Sequence, residues 1–319
     1  MRVVVIGGTG HVGTFLIPRL VLAGHKVISV SRQKRKPYLD HPAWKLVNQL
    51  LIDRFGADEK DNFGKQILEL APDVVIDMIC FTPESARSLV DALHGHVQHF
   101  LHCGTIWVHG HSEQVPTDEA HPRNPFGEYG INKAAIESFL LRVSRKEGFP
   151  ATVLHPGHIV GPGWIPLNPA GNFNPEVFQR LAEGKEILLP NIGMETLHHV
   201  HADDVAQSFI RAIDNRNNAV GESFHIVSSQ ALTLRGYALA LAAWLGREAR
   251  LGFLPWDKWK ETVSEADAEA TWDHIAHSPN CSIEKARRLL NYSPRYSSLQ
   301  AVQEAVSYLF EHEYLKTTK

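Results

Sequence analysis

The first thirty residues constrain the fold more than any other stretch of this chain. Val3-Val4-Val5-Ile6 is a continuous β-branched run, the pattern of a strand buried on both faces of a parallel sheet. Gly7-Gly8-Thr9-Gly10-His11-Val12-Gly13 follows at once, then an apolar helical pattern from Phe15 to Ala23. Gly24 stops that helix, and Val27 to Val30 reads as the next strand. Each glycine has a physical reason to be there. Gly7 permits the tight turn, Gly10 lets backbone approach a ligand, and Gly13 lets helix pack closely on sheet. Free amides at the helix start favour phosphate. Gly7, Thr9, Gly10, His11, Val12 and Gly13 are therefore candidate contacts for a dinucleotide diphosphate.

The end of the second strand addresses which dinucleotide. An NAD site offers Asp or Glu there to the ribose 2′-hydroxyl, but this chain has Ser31-Arg32. A carboxylate repels a 2′-phosphate, whereas arginine holds it with forked, charge-assisted hydrogen bonds. NADP(H) is expected, with NAD(H) the second choice, and Ser31 and Arg32 are the candidate readers. The alternative is that the basic run Arg32, Lys34, Arg35, Lys36 is a solvated loop. Asp53, after Leu50-Leu51-Ile52, either faces the adenine or is an ordinary loop carboxylate.

Composition narrows the function classes. The chain has 319 residues, 44% hydrophobic and 21% charged, enough for a sizeable core and one large or two intimately packed α/β domains. A net charge of −3 gives no electrostatic footprint for nucleic acid. Three cysteines without CxxC spacing argue for a reducing compartment and against a disulfide framework or structural zinc. No signal-peptide pattern precedes the first strand, and no apolar run reaches the roughly 20 residues of a membrane span, so a cytoplasmic protein is expected. The 19 histidines cluster at 102–111, 155–158 and 198–201 without HExxH or a cysteine partner, so no metal is expected.

Further strand signals at Val74–Met78 and His99–His102, separated by a helical pattern over Pro83–Leu93, continue a doubly wound sheet. Thr105 follows the last of these, where open α/β sheets hold their ligands. Downstream, Tyr129 and Lys133 share one face at the start of a helix running to about Glu147. The ammonium is expected to depress the tyrosine pKa from about 10 and make it an acid/base near neutrality. The Thr105 hydroxyl would bind the same carbonyl or alcohol oxygen.

The loop G-x-x-G-x-x-G resembles that of the short-chain dehydrogenase/reductase superfamily, and Thr105, Tyr129 and Lys133 resemble its Ser/Thr–Tyr–Lys triad. Tyr129-Gly130-Ile131-Asn132-Lys133 looks like the YGxxK of the extended branch, the NAD(P)-dependent epimerase/dehydratase family. Leu154-His155-Pro156-Gly157-His158-Ile159-Val160-Gly161-Pro162-Gly163 resembles that branch's LRPGxVYGPG segment, His198 to Val205 its FIHVDDVA segment, and Gly221 to Ile226 its late strand. The resemblance adds Pro156 and His158 to the cofactor-facing candidates. It implies an α/β fold: a doubly wound parallel Rossmann sheet with a smaller, mainly C-terminal substrate domain. The Rossmann part would span 1–162, completed by about 196–228, and the substrate domain 163–195 and 229–319. It further suggests a homodimer formed through helices near Pro83–Leu93 and Gly130–Glu147.

Departures from the family bear on the substrate. Leu197 stands where nucleotide-sugar members carry a diphosphate-binding arginine, and the 163–190 loop has few cations. Ile106-Trp107 replace the Asp-Glu of sugar dehydratases, and His109 replaces a tyrosine, with its ring expected towards the nicotinamide side. His158 is a candidate substrate-facing acid/base. Trp107, Trp164, Trp256 and Trp259 either line an apolar pocket or pack in the core or an interface, and Ser264–Ala276 reads as an acidic amphipathic helix with a solvated face. The favoured function is an NADP(H)-dependent reductase/dehydrogenase of a carbonyl or secondary alcohol in a small organic molecule, not a nucleotide sugar. Alternatives are an epimerase with retained cofactor acting on a sugar, and a non-catalytic NADP(H)-binding redox sensor. No nucleic-acid or membrane partner is expected.

Overall fold

The buried β-branched runs of the N-terminal half become strands of one sheet, and the amphipathic stretches between them cross over it as helices. The computed structural model describes residues 1–58 and 62–316. Its first half runs β1 (Arg2–Ile6), α1 (His11–Leu22), β2 (Lys26–Ser31), β3 (Asn48–Leu51), α2 (Arg54–Asp58), α3 (Phe63–Glu69), β4 (Val74–Asp77), α4 (Pro83–Leu93), β5 (His99–Cys103), α5 (Gly127–Glu147) and β6 (Ala151–Pro156). Then come β7 (His158–Val160), α6 (Glu176–Ala182), β8 (Ile187–Pro190), β9 (Thr196–Leu197), β10 (His199–His201), α7 (Ala202–Asp214), α8 (Arg216–Ala219) and β11 (Ser223–Ile226). The chain ends with β12 (Leu232–Thr233), α9 (Leu234–Trp244), β13 (Leu251–Leu254), α10 (Trp256–Trp259), α11 (Glu265–His277), α12 (Glu284–Leu290) and α13 (Ser298–Glu311).

Seven strands form the main sheet in the order β11-β6-β5-β4-β1-β2-β3, and every neighbouring pair is parallel. This is the doubly wound α/β sheet read from the sequence. Val3 to Ile6 sit at its centre with no exposed surface. The chain winds outward through β2 and β3 on one side of β1 and through β4 to β6 on the other. A crevice therefore opens beyond the C-terminal ends of β1 and β4, the place where such sheets bind ligands.

Each face of the sheet has its own apolar core. On one, Leu16, Ile17 and Leu20 of α1 pack with Val205 and Phe209 of α7 and with Leu290 of α12. On the other, Ile67 of α3, Leu89 and Leu93 of α4, and Ile136, Leu140 and Val143 of α5 pack together. A third core gathers Phe178 of α6, Leu189 of β8, Tyr237 and Leu241 of α9, Trp259 of α10, Ile275 of α11 and Val302 of α13. Three two-stranded ribbons, β7 with β10, β8 with β13 and β9 with β12, bridge these later elements. Among the described residues no helix is long and apolar enough to cross a membrane.

Several local boundaries differ from the sequence reading: β2 spans Lys26–Ser31, β4 ends at Asp77 rather than Met78, and β5 runs on to Cys103. Helix α1 begins at His11 rather than Phe15, because Gly10 is extended and acts as its N-cap. Strand β3 ends at Leu51, one residue before Ile52.

Candidate functional site

The loop between β1 and α1 is fixed by backbone. Gly7 has φ +88°, a value that favours glycine, and its amide donates to the Val30 carbonyl at 2.8 Å. A Cβ on Gly13 would stand 1.9 Å from the Gly8 carbonyl oxygen, a backbone atom with no rotamer to escape into. At Gly10 the nearest atom to such a Cβ is 3.4 Å away, so glycine there keeps the backbone bare instead of relieving a collision. Gly8 carries a constraint the sequence did not advertise, since its Cβ would meet Ser29 Oγ at 2.4 Å. Helix α1 has no side-chain cap and no acidic residue in its first turn. Its leading amides and positive dipole end are thus available to an anion, and the loop fits a dinucleotide diphosphate.

Two other loops meet at the start of α1. The His11 ring stacks on Trp164 at 3.5 Å between centroids and meets Tyr38 edge-on at 4.8 Å. The Tyr38 amide donates to Thr14 Oγ1 at 3.1 Å, tying the loop after β2 to the helix. Burial, then Arg35, lowers the His11 pKa to about 4, so the ring is neutral. Ser31 is buried at the end of β2, and its hydroxyl accepts from the Gln33 amide at 3.2 Å. Arg32 is exposed, with its guanidinium 5.8 Å from the Phe55 ring centre. Asp53 is exposed before α2, whereas its neighbour Arg54 turns inward to Asp77 at 2.5 Å, where both side chains are buried.

Thr105, Tyr129 and Lys133 converge on a cleft of about 320 Å³, which Met78, Phe81, Trp107, Pro156, His158 and His274 also line. Thr105 Oγ1 caps a short 3₁₀ turn after β5, accepting from the Trp107 amide at 3.3 Å. Tyr129 and Lys133 lie one turn apart on α5, and the Tyr129 side chain hydrogen-bonds to Thr105. The Lys133 ammonium, however, donates to the Cys103 carbonyl at 2.7 Å. The expected depression of the tyrosine pKa is not what this geometry gives. Burial comes first and pushes the Tyr129 hydroxyl up to about 12, with Cys103 adding to it and the Thr105 hydrogen bond opposing.

Behind Thr105 lies a buried chain of polar groups. Its amide donates to His155 Nδ1 at 3.0 Å, and His155 Nε2 lies 3.0 Å from Glu137 Oε1. Arg123 holds both Glu137 oxygens, at 2.7 and 3.1 Å. Burial alone would raise the Glu137 carboxyl; His155 and Arg123 overcome it and hold it well below the usual carboxylate range. Gly104 makes room, since a Cβ there would meet His155 Nδ1 at 2.3 Å. Glu137 was missed from sequence, although it continues the Tyr129–Lys133 spacing by one more turn of the same helix face.

The remaining histidines divide into architecture and cleft wall. His109 does not turn towards the cofactor side as expected. Its Nε2 lies 2.8 Å from His225 Nε2 and its Nδ1 donates to the Pro122 carbonyl at 3.1 Å. His198 bonds the Ser228 carbonyl, His199 the Leu167 carbonyl, and His201 faces Glu304 at 2.9 Å. These rings tie separate elements together. His158 lines the cleft, and beside it stand two residues no sequence signal had suggested, His274 and His277 of α11. The Trp107 ring stacks on His277 at 4.1 Å and meets His274 at 5.2 Å, while His158 and His274 are 4.7 Å apart. The helix read as an acidic solvated face thus builds the cleft with its inner side. Among the described residues no group of three or more His, Cys, Asp or Glu is set to hold a metal.

Of the four tryptophans proposed for a pocket, only Trp107 lines the cleft. Trp259 is buried in the third core and donates to the Leu188 carbonyl at 2.8 Å, with Trp256 stacked upon it. A larger groove, about 890 Å³, runs between α5 and α12 away from the triad. Its Arg123 is committed to Glu137, and its Arg145 and Lys285 to Glu222. That groove is roomier, but the converging hydroxyls and imidazoles are in the smaller cleft.

Residues 3–226 match the model of a family described as the NAD dependent epimerase/dehydratase family. A 2′-dehydrokanamycin reductase from Streptomyces kanamyceticus is 25% identical over 288 residues, covering 86% of this chain and 76% of the relative. Among solved structures, the UDP-glucose 4-epimerase of Thermotoga maritima with UDP-glucose superposes with a TM-score of 0.75 at 20% identity, covering 98% of this chain and 100% of that one. The dTDP-glucose 4,6-dehydratase of Bacillus anthracis in complex with NAD gives 0.74 at 17% identity, covering 98% of each chain. At these identities the two structures speak for the fold.

Proposed function

The chain belongs to the NAD-dependent epimerase/dehydratase family and is an NAD(P)-dependent enzyme of the extended short-chain dehydrogenase/reductase type, and from that premise we propose an NADP(H)-dependent reductase of a carbonyl group in a small, non-nucleotide molecule. The observation that carries this reading is the meeting of Thr105, Tyr129 and Lys133 in a cleft whose lysine is already bound to a backbone carbonyl. Among the residues that line it, such a cleft offers acid and hydrogen-bond groups and a single cation, Lys133, which is anchored at the Cys103 carbonyl. Leu197, buried in the third core, adds no positive charge.

The Gly7–Gly13 loop would hold the dinucleotide diphosphate, with Ser31 and Arg32 at the ribose 2′-phosphate. When bound, the nicotinamide supplies or takes the hydride. The chain's own residues handle the oxygen. Thr105 and Tyr129 hydroxyls donate to the substrate carbonyl, and Tyr129 delivers its proton as the alcohol forms. A tyrosine pushed up to about 12 stays protonated at neutral pH, which suits the reducing direction. Lys133 keeps positive charge beneath the oxygen while its hydrogen bond to Cys103 fixes its position. His155, held by Glu137, anchors the Thr105 backbone. Ile106 and Trp107 bring no acid or base where dehydration would need one.

A second reading is an epimerase that oxidises and re-reduces one substrate on a retained cofactor. The packing of Tyr38 and Trp164 on His11 at the start of α1, where it would cover a bound dinucleotide, supports it. The test is multiple-turnover consumption of NADPH, with NADH in parallel, against neutral aldehydes, ketones and sugars. Sustained consumption that Tyr129→Phe abolishes, with NADPH binding retained, is the expected result. Full turnover by that variant would remove Tyr129 as the acid. Tight binding without net consumption would favour the epimerase.

A further inference from the structure

The inner side of α11 places His274 one helical turn before His277, and both approach Trp107 in the cleft. The His274 tautomer is fixed by its own helix. Nδ1 lies 2.5 Å from the Ala270 carbonyl oxygen, and a carbonyl only accepts, so Nδ1 carries the hydrogen. Nε2 is therefore left with a lone pair. His158, from β7, adjoins it with ring centres 4.7 Å apart. Its Nε2 is buried without a hydrogen-bond partner among the described residues, a state that native proteins avoid unless a ligand or water answers it.

Both rings are neutral. Burial, the larger influence, lowers His274 to about 4 and drives His158 well below its ordinary value, where the neighbouring histidines push further. Among the described residues the cleft around them contains no carboxylate, and its cation, Lys133, is bound to Cys103. Trp107 supplies a flat apolar face beside them.

We propose that His158 and His274 form a hydroxyl-recognition subsite that selects neutral, polyhydroxylated substrates over phosphorylated or carboxylated ones. The inference rests on the cleft being the substrate site, as in the reading above, and narrows the substrate class. A hydroxyl group donates to the His274 Nε2 lone pair, and the same hydroxyl or its neighbour on the substrate answers the unpartnered His158 Nε2, since a hydroxyl both donates and accepts. A phosphate or carboxylate oxygen only accepts, so it meets that lone pair with repulsion. A sugar-like ring also lays its C–H face on Trp107.

The test is equilibrium binding to the NADP⁺-saturated protein, followed by tryptophan fluorescence. Methyl β-D-glucopyranoside is the neutral probe, and glucose 6-phosphate and UDP-glucose are the anionic ones. The neutral probe is expected to bind at least tenfold more tightly than either anion. His274→Phe keeps the flat ring against Trp107 and is expected to weaken it about tenfold. His274→Gln, whose amide oxygen reaches the Nε2 position, is expected to restore most of the affinity. NADP⁺ binding by both variants serves as the check on folding. Preference for either anion, no binding of the neutral probe, or unchanged binding by a folded His274→Phe overturns the proposal. The readout involves no hydride transfer, so a failure of the reductase reading in turnover and a failure of this subsite in binding are separate results.

Discussion

The glycine loop and the histidine-lined wall of the cleft are assembled in opposite ways. The loop is a run of consecutive residues, Gly7 to Gly13, whose shape follows from backbone geometry and needs few side chains. The wall brings Trp107, His158 and His274 together from three separated elements and depends on the third core beneath α11. The first is a local solution and the second a cooperative one. A local solution should fail by losing its ligand, and a cooperative one by losing the packing that keeps its imidazoles neutral.

Acid is the strongest way to separate them. Burial lowers the pKa of His109, His198, His274 and His277 to about 4 and of His99 and His199 to about 3, with smaller contributions from nearby groups. In the unfolded chain a histidine titrates at about 6.5, so on acidification the unfolded state takes up protons that the folded state refuses. Stability is therefore full above pH 6.5 and is lost as the pH falls towards 4. Each tenfold change in proton affinity is worth about 1.4 kcal/mol, so a few such groups together rival a typical margin of about 5–15 kcal/mol. Calorimetry should show the Tm dropping steeply between pH 6.5 and 4.5, with unfolding near pH 4. A flat profile would mean these rings are already protonated or exposed.

The complementary break is at Gly13. Alanine there must push apart α1 and the Gly8 carbonyl, an overpacking of about 1–3 kcal/mol delivered to the diphosphate loop itself. NADPH affinity, measured by fluorescence titration, should fall about a hundredfold while far-UV circular dichroism is preserved. Unaltered affinity would remove the loop from the cofactor site.

The smallest effect sharpens the local solution. Arg32 is exposed, so losing it costs an interaction screened by solvent. Arg32→Ala should lower the preference for NADPH over NADH about tenfold, read as the ratio of the two dissociation constants. An unchanged ratio would leave the basic loop as a solvated surface.

The site was legible in the sequence wherever its residues are neighbours or share a helix face. The glycine loop, Tyr129 with Lys133, and Thr105 at the end of β5 were read from spacing and resemblance, and the last three meet in one cleft. The Tyr129–Lys133 distance was legible, but its electrostatic consequence was not, because the ammonium turns to the Cys103 carbonyl. His109 was misdirected for a similar reason: its sequence position says nothing of His225, which captures the ring from β11. His274 had no local signal at all, since the composition of α11 advertises its acidic outer face.

By itself, the amino-acid sequence determined the parallel sheet, the crossover helices, the glycine turn after β1 and the shared helix face of Tyr129 and Lys133. Each depends on periodicity, on glycine's freedom from a Cβ, or on i to i+4 spacing, and these act over a few residues. Only the tertiary structure decided which histidines hold elements together, which line the cleft, and which nitrogen each leaves free. Those outcomes depend on partners distant in the chain, such as the fold that carries α11 against Trp107. Burial then sets the charge of each ring, and burial exists only once the whole chain has packed.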